Sequence, residues 1–361
     1  MANSGTTVLV SGASGYIGAH CVFKLLKEGY KVRGTVRSTK NEKKIQPLRE
    51  LCPEAKTNLE LVEADLLKED TWPSAVRGCQ YVLHVASPFP TEQPRDENEL
   101  IKPAVDGTLN VLKACAKENS VRRVVLTSSF AAIYCGYKGD RATKYFNEED
   151  WSDPNASDIT PYEKSKTLAE RAAWEFVQNI KEPDNKFELT TVNPAFVVGP
   201  LLHEVESTSS AVIKRFLERQ MPMIPKVSTA IIDVRDVAEA HFKAMTHPNA
   251  PGQRFLCTSE SLWLKDICSI LKEEFGSQGY NPPMTEAPYV LLWLMSWFDK
   301  LVKTTLPMIG LPLYSDNKKI REVLQINPIP IKKSVIDMAY SLIEKGIVKK
   351  TQKYRGPPKN F

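Results

Sequence analysis

Tyr162-Glu163-Lys164-Ser165-Lys166 sets a phenol and an ammonium four residues apart, a spacing that on a helix puts both on one face. Ala169 and Ala173 continue a stripe of small residues that lets such a helix pack closely on a sheet. A free phenol has a pKa of about 10, and a nearby ammonium can lower it by roughly 1 to 3 units, towards acid–base work near neutrality. Two further polar features, Thr127-Ser128-Ser129 and Asn193-Pro194, stand beside expected strand ends. A serine hydroxyl in such a place can hydrogen-bond a substrate carbonyl oxygen as negative charge develops on it. Ser128 and Ser129 are barely separable by sequence, and either could instead cap backbone. Tyr-x-x-x-Lys is common, so its meaning depends on what precedes it.

What precedes it is Val8-Leu9-Val10-Ser11-Gly12-Ala13-Ser14-Gly15-Tyr16-Ile17-Gly18, a GxxGxxG directly after a strand and at the mouth of a helix. Gly12 allows a tight turn, Gly15 lets backbone approach a pyrophosphate, and Gly18 lets helix and strand pack closely. The N–H groups of Ser14, Tyr16 and Ile17 lie where a helix start attracts the anion. NAD-selective sites carry an acid about 20 residues further on, for the ribose 2′-hydroxyl. Here Arg37 stands there, and Arg37 to Lys44 offers a guanidinium and several ammonium groups suited to a 2′-phosphate, which points to NADP(H). A solvated, charged helix start is the alternative. Asp65 and Leu66, after the third strand, offer an adenine an acceptor and an apolar wall, although an isolated Asp is more often a helix cap. Val85, Ala86 and Ser87 end the fourth strand with small residues along the cofactor's path. His84 reads as a core histidine, because nothing nearby completes a triad or a metal set. With such a cofactor, Lys166 would also hold the nicotinamide ribose while C4 delivers hydride.

These residues need a scaffold, and the chain supplies one. β-rich segments at Thr7 to Ser11, Lys31 to Val36, Leu59 to Ala64, Tyr81 to Ala86, Arg123 to Ser128 and Phe187 to Asn193 alternate with helix-like stretches. Runs such as Val8-Leu9-Val10 and Val124-Val125-Leu126 lack in/out alternation, as central parallel strands covered on both faces do. The expected architecture is an α/β, Rossmann-type, doubly wound parallel sheet with a smaller C-terminal substrate lobe. The expected division is 1–195 for the cofactor domain and 196–361 for the lobe, with about 228–248 returning to the first. Residues 137–161 read as one long loop that ends just before Tyr162.

Composition sets the class. A chain of 361 residues, 42% hydrophobic and 25% charged, excludes collagen-like and largely disordered proteins. A net charge of +5 over this length is too mild to imply nucleic-acid binding. Seven cysteines without a CxxC pair read as reduced core thiols, and no metal set is expected. No leader is expected at the polar start. The longest apolar run, Tyr289 to Phe298, is half the roughly 20 residues a spanning helix needs, so a cytoplasmic protein without a transmembrane segment is expected. Within that run, Trp293 and Trp297 are expected to pack inside the lobe or over the substrate mouth. A homo-oligomer is left open.

The chain resembles the extended short-chain dehydrogenases/reductases, of the dihydroflavonol reductase and cinnamoyl-CoA reductase branch, and especially the fungal methylglyoxal and aldehyde reductases. The resemblance is carried by Val-Ser-Gly-Ala-Ser-Gly-Tyr-Ile-Gly from Val10, Val-Leu-His-Val-Ala-Ser-Pro-Phe from Val82 and Arg-Val-Val-Leu-Thr-Ser-Ser from Arg123. Ala-Ala-Trp-Glu-Phe from Ala172 and Ile-Asp-Val-Arg-Asp-Val-Ala from Ile232 extend it, to span residues 7 to about 260. It implies a catalytic set of Ser129, Tyr162 and Lys166 and 2′-phosphate ligands Arg37 and Lys44. It adds Thr127, Ser128, Pro194, Val197 and Ser209 beside the cofactor, and Ser87, Phe89, Phe130, Tyr134 and Phe196 around a small-molecule carbonyl substrate. Tyr134 stands where dihydroflavonol reductases hold an Asn that reads the flavonoid, and the Asn-Trp-Tyr run of plant cinnamoyl-CoA reductases is missing, so neither plant activity is assumed. The leading expectation is an NADPH-dependent carbonyl reductase. The competing ones are a 3β-hydroxysteroid dehydrogenase-like enzyme, an NAD-dependent nucleotide-sugar epimerase or dehydratase, and a non-enzymatic NADP(H)-binding redox sensor.

Overall fold

The structure is a computed structural model that describes residues 5–88, 96–181, 186–205, 207–298 and 300–358. Seven parallel strands form the main sheet: β1 (Thr7–Ser11), β2 (Lys31–Val36), β3 (Leu59–Glu63), β4 (Tyr81–His84), β5 (Arg123–Thr127), β7 (Glu188–Pro194) and β10 (Arg254–Cys257). Between the fifth and the last of these come β6 (Tyr145–Phe146), β8 (Phe196–Val198) and β9 (Ser228–Asp233), which lie outside it. The strand order is β10-β7-β5-β4-β1-β2-β3, so the winding direction reverses between β1 and β4. At such a reversal the connections diverge and leave a crevice at the carboxyl ends of the strands. Val8, Leu9, Val10, Val124 and Val125 are wholly buried, as unbroken apolar runs in a covered sheet must be.

One face is covered by α1 (Tyr16–Lys27), α2 (Glu42–Arg49) and, from later in the chain, α7 (Val234–Thr246). The other is covered by α3 (Trp72–Val76), α4 (Asn98–Ala116) and α5 (Pro161–Gln178). Six of the strands lie where the sequence places them, within a residue or two at each end. The seventh, β10, follows the Pro251-Gly252 turn and has only four residues, too short for a periodic signal.

Beside the sheet stands a second layer. A three-stranded sheet of β8, β9 and β11 (Glu260–Trp263) packs with α6 (Thr208–Leu217), α8 (Leu264–Phe275) and α12 (Ile331–Glu344) around Phe216, Ile231, Phe275 and Val335. The short helices α9 (Tyr289–Met295), α10 (Lys300–Thr305) and α11 (Lys318–Glu322) complete the chain, with β12 (Tyr314–Ser315) between the last two. β12 pairs with β6, which ties the long loop before Tyr162 to the C-terminal region.

Trp293 and Trp297 do not pack inside the lobe. They are 42% and 67% exposed and touch each other edge to face at 4.9 Å. The physical reason is the shortness of α9: of its seven residues only Leu292 turns inward to burial. It is the segment after it, through Thr304, Pro307 and Met308, that reaches a recess beside Tyr134 and Glu163.

Candidate active site

The glycine loop runs from the end of β1 into α1, on the crevice side of the sheet. Gly12 has φ +66°, and a Cβ there would sit 3.1 Å from Ala86 Cα, just past the end of β4. A Cβ on Gly18 would come 2.2 Å from the Gly12 carbonyl oxygen, so only glycine permits this turn. The loop's flank is held by two side chains for which the sequence reading gave no such role. The Tyr16 hydroxyl donates to the Gly199 carbonyl at 2.7 Å, and the His203 ring donates to the Ser14 carbonyl at 3.0 Å, pinning the loop to the segment after β8.

Arg37 and Lys44 are exposed beyond the end of β2, and among the described residues neither side chain has an ion pair. The turn between them is fixed by Glu63, which accepts from the Thr39 N–H and hydroxyl, each at 2.7 Å. Asp65 accepts from the Leu67 N–H at 3.0 Å, so one carboxylate oxygen caps a turn, the ordinary role for an isolated Asp. Leu66 packs against Gly107 of α4. Ser11 accepts from the Ala86 N–H at 2.9 Å and meets His84 Nδ1 at 2.8 Å, which orders the backbone at Val85, Ala86 and Ser87. Burial first, and then the Lys166 charge, push His84 down to about 3, so it is a neutral core residue.

Tyr162 and Lys166 are carried by the first turns of α5, whose start is specified by a capping box. Thr160 accepts from the Glu163 N–H at 3.4 Å, Glu163 accepts from the Thr160 N–H at 2.7 Å, and Pro161 supplies the first helical φ. Lys166 Nζ lies 5.9 Å from the Tyr162 ring centroid and donates to Ser87 Oγ at 3.0 Å. Ser129 accepts from the Ala131 N–H at 3.1 Å, and its hydroxyl beside Tyr162 favours the phenolate. Burial outweighs that effect and holds Tyr162 above its ordinary pKa, the reverse of the shift expected from a nearby ammonium. The same burial, opposed in part by Glu170, brings Lys166 down to about 8.

Ser128 faces elsewhere. Its hydroxyl donates to the fully buried Glu170, which also accepts from Asn193 Nδ2 at 2.7 Å, Arg254 Nε at 2.7 Å and Thr191 Oγ1 at 3.3 Å. The geometry thus separates two hydroxyls that the sequence left equivalent. Glu170 and Arg254 escaped the sequence reading. The available signal was an acid one turn beyond Lys166, on the small-residue face that must meet the sheet.

The remaining candidates scatter around this centre. Thr127 directs its hydroxyl to His241 Nε2 at 2.6 Å, away from the crevice. Pro194 ends β7, Val197 lies in β8, and Ser209 is buried in the first turn of α6. Phe130 is buried against Tyr134, Phe146 and Leu256, and Phe196 is partly buried in β8. The Tyr134 hydroxyl donates to Glu163 at 3.2 Å and lines a recess together with Arg141, Thr160 and Met308. Phe89 lies outside the described residues.

A strand–glycine loop–helix at a sheet reversal, facing a Ser–Tyr–Lys set, defines a dinucleotide-binding protein of the Rossmann class. Residues 8–257 match the model of the NAD dependent epimerase/dehydratase family, and the chain belongs to it. It is 37% identical to a cinnamoyl-CoA reductase of Medicago truncatula over 348 residues, covering 95% of this chain and 97% of that one. Among solved structures it resembles Gre2 of Candida albicans in complex with NADPH, with a TM-score of 0.79, 32% identity and coverage of 94% and 99%. It also resembles the yeast methylglyoxal/isovaleraldehyde reductase Gre2 complexed with NADPH, with a TM-score of 0.78, 31% identity and coverage of 95% and 100%.

The lowered pKa of Lys166 has a thermodynamic consequence. In the pH range between about 8 and its unfolded value of about 10.4, the unfolded chain binds the proton more readily than the native one. The ammonium therefore destabilises the cofactor-free fold fully below about pH 8, and the penalty fades as pH rises to about 10. Lys166→Met should raise cofactor-free stability by on the order of 1 to 3 kcal/mol at neutral pH, with the gain shrinking at alkaline pH. Thermal and urea unfolding of the two proteins across that range measures it.

Proposed function

We propose that this chain reduces a small or aromatic, apolar aldehyde or ketone, with Tyr162 as proton donor, Ser129 as hydrogen-bond donor to the carbonyl oxygen and Lys166 as ribose ligand. The chain is an NADP(H)-dependent oxidoreductase: it belongs to the family above, and its near structural neighbours include reductases complexed with NADPH. The residues present fit that cofactor. A cradle only glycine can form lies at the helix start, and Arg37 stands exposed just past the end of β2, where an acid would repel a 2′-phosphate, with Lys44 exposed in the first turn of α2. When bound, the cofactor supplies hydride from nicotinamide C4.

The observation that carries the reading is the convergence of Ser129 and Lys166 on Tyr162, whose phenol burial keeps protonated. A protonated phenol in reach of the substrate oxygen is a donor, the role reduction requires. Ser129 accepts from backbone, and its own hydrogen, turned to Tyr162 at rest, can turn to the carbonyl oxygen as charge develops. Lys166, held by Ser87 at the end of β4, stands where it can bond a ribose and, as an ammonium, favour release of the Tyr162 proton to the substrate oxygen. The recess at Tyr134 opens beside the helix turn that bears Tyr162, and we place the substrate's organic group there. We also propose the division at residue 195 as the split between cofactor and substrate elements. Seven free, buried thiols support a reducing, cytoplasmic setting. Arg37 in place of an acid disfavours the epimerase alternative.

Tyr162→Phe keeps the ring and deletes the transferable proton. In single-turnover reactions with a panel of aldehydes, diketones, steroids and aryl ketones, it should lose at least about 10²-fold in rate while NADPH still binds. A near wild-type rate would contradict the role.

Arg37→Asp tests how the cofactor is read. Charge-assisted contacts are each worth on the order of 1 to 3 kcal/mol, so calorimetry should show NADPH affinity falling about 10-fold or more and the preference moving to NADH. Equal affinities of the wild type for both cofactors would overturn the assignment.

A further inference from the structure

We propose that the outward face of α9 and the turn after it seats in the interfacial zone of a lipid bilayer, and that the enzyme takes a lipophilic carbonyl substrate from that surface. The second clause rests on the reductase reading above; the first does not.

Tyr289, Val290, Trp293 and Leu294 recur at i, i+1, i+4 and i+5, one side of α9, and this side faces out, with the exposed Trp297 in the turn after it. Surface helices ordinarily turn such a stripe to the core; here the core side of α9 holds Leu292. Phe298, 91% exposed, extends the patch. Partial exposure of this many large side chains leaves bare apolar surface of about the size of the largest patch on a typical monomer, which is commonly functional.

Three observations favour a bilayer over a protein as occupant. The first is backbone satisfaction. The N–H groups of Leu292, Ser296, Trp297 and Phe298 all bond carbonyls within the segment, and the Ser296 hydroxyl bonds the Trp293 carbonyl at 2.6 Å. A lipid environment demands such closure, whereas a protein interface of this size would ordinarily offer a partner several hydrogen bonds. The second is charge. In sequence, residues 287–313 carry Asp299, Lys300 and Lys303, two cations against one acid; Lys303 is exposed on α10, and Lys226, whose carbonyl accepts from the Gly310 N–H, is a further exposed cation. Tryptophan, tyrosine and lysine around an apolar centre suit the headgroup zone, and cations suit anionic lipid. The third is continuity. Thr304, Pro307 and Met308 of the same segment line the recess at Tyr134 and Glu163. The chain thus runs from the patch to the wall of that recess, the route by which a substrate held in the bilayer would enter it.

The test uses the full chain with its exposed aromatics changed, Trp297→Asp with Phe298→Asp, which belong neither to the glycine loop nor to the Ser–Tyr–Lys set. In flotation with vesicles of phosphatidylcholine, alone or mixed with phosphatidylserine, the wild type should float with both and more with the anionic mixture. The double variant should lose at least about 10-fold in partition, since burying one large apolar side chain is worth about that. Reduction of a short, water-soluble aldehyde should be unchanged, while kcat/KM for a long-chain aldehyde carried in the vesicles should fall with the partition. Wild type left behind by both vesicles, or a double variant that floats equally well, overturns the docking, as does a concentration-dependent dimer abolished by the variant. Vesicle binding without reduction of any aldehyde would instead overturn the reductase reading and leave the docking standing.

Discussion

A single buried carboxylate organises the catalytic end of the molecule. Glu170 is fully buried, and it collects Ser128 from the end of β5, Thr191 and Asn193 from β7, and Arg254 from the start of β10. Arg254 in turn stacks on Trp151 at 3.8 Å and donates to the Glu148 and Asp150 carbonyls, so the loop before Tyr162 is fastened to the same point. A buried ion pair of this kind is weak evidence for stability in itself, but breaking it by removing one partner costs about 3 to 5 kcal/mol. Its role is placement. By occupying Ser128 it leaves Ser129 as the hydroxyl that meets Tyr162, and it sets a negative charge one helical turn from Lys166.

The sheet reversal then does the rest. It opens the crevice between β1 and β4, and the glycine loop can occupy it because Gly12 turns against Ala86 and Gly18 clears the Gly12 carbonyl. Lys166 reaches Ser87 from the opposite wall, so the cofactor crevice and the proton-donating phenol share one lysine. Burial acts on both titrating groups at once, keeping the phenol protonated and easing the ammonium towards neutrality, a combination suited to giving a proton to a carbonyl oxygen and recovering it.

Much of this was legible in the sequence because it is local. Six strands announce themselves by short β-rich runs, the glycine loop by its place between strand and helix, and Tyr162 with Lys166 by helical spacing. What escaped is non-local. Glu170 and Arg254 are 84 residues apart, and no periodicity links them. Tyr16 looked like a loop backbone contact, yet its hydroxyl reaches Gly199 across 183 residues. The sign of the Tyr162 shift depends on how deeply α5 sinks against its neighbours, which spacing does not encode. The apolar stripe at Tyr289 to Phe298 was visible, but hydrophobicity does not say whether a stripe faces the core or the outside, and α9 is too short to be buried on all sides.

The account turns on the division of labour between two adjacent serines, which Ser128→Ala and Ser129→Ala separate in a single experiment: single-turnover reduction and urea unfolding of both variants. Ser129→Ala should slow the chemical step by about 10² or more, as removal of an oxyanion donor does, and cost only the roughly 1 kcal/mol of a lost cap at Ala131. Ser128→Ala should leave the rate within a few-fold of wild type but destabilise the fold by on the order of 1 to 3 kcal/mol, because it strips a hydrogen bond from a buried charge. A rate collapse in Ser128→Ala with an unimpaired Ser129→Ala would contradict the account.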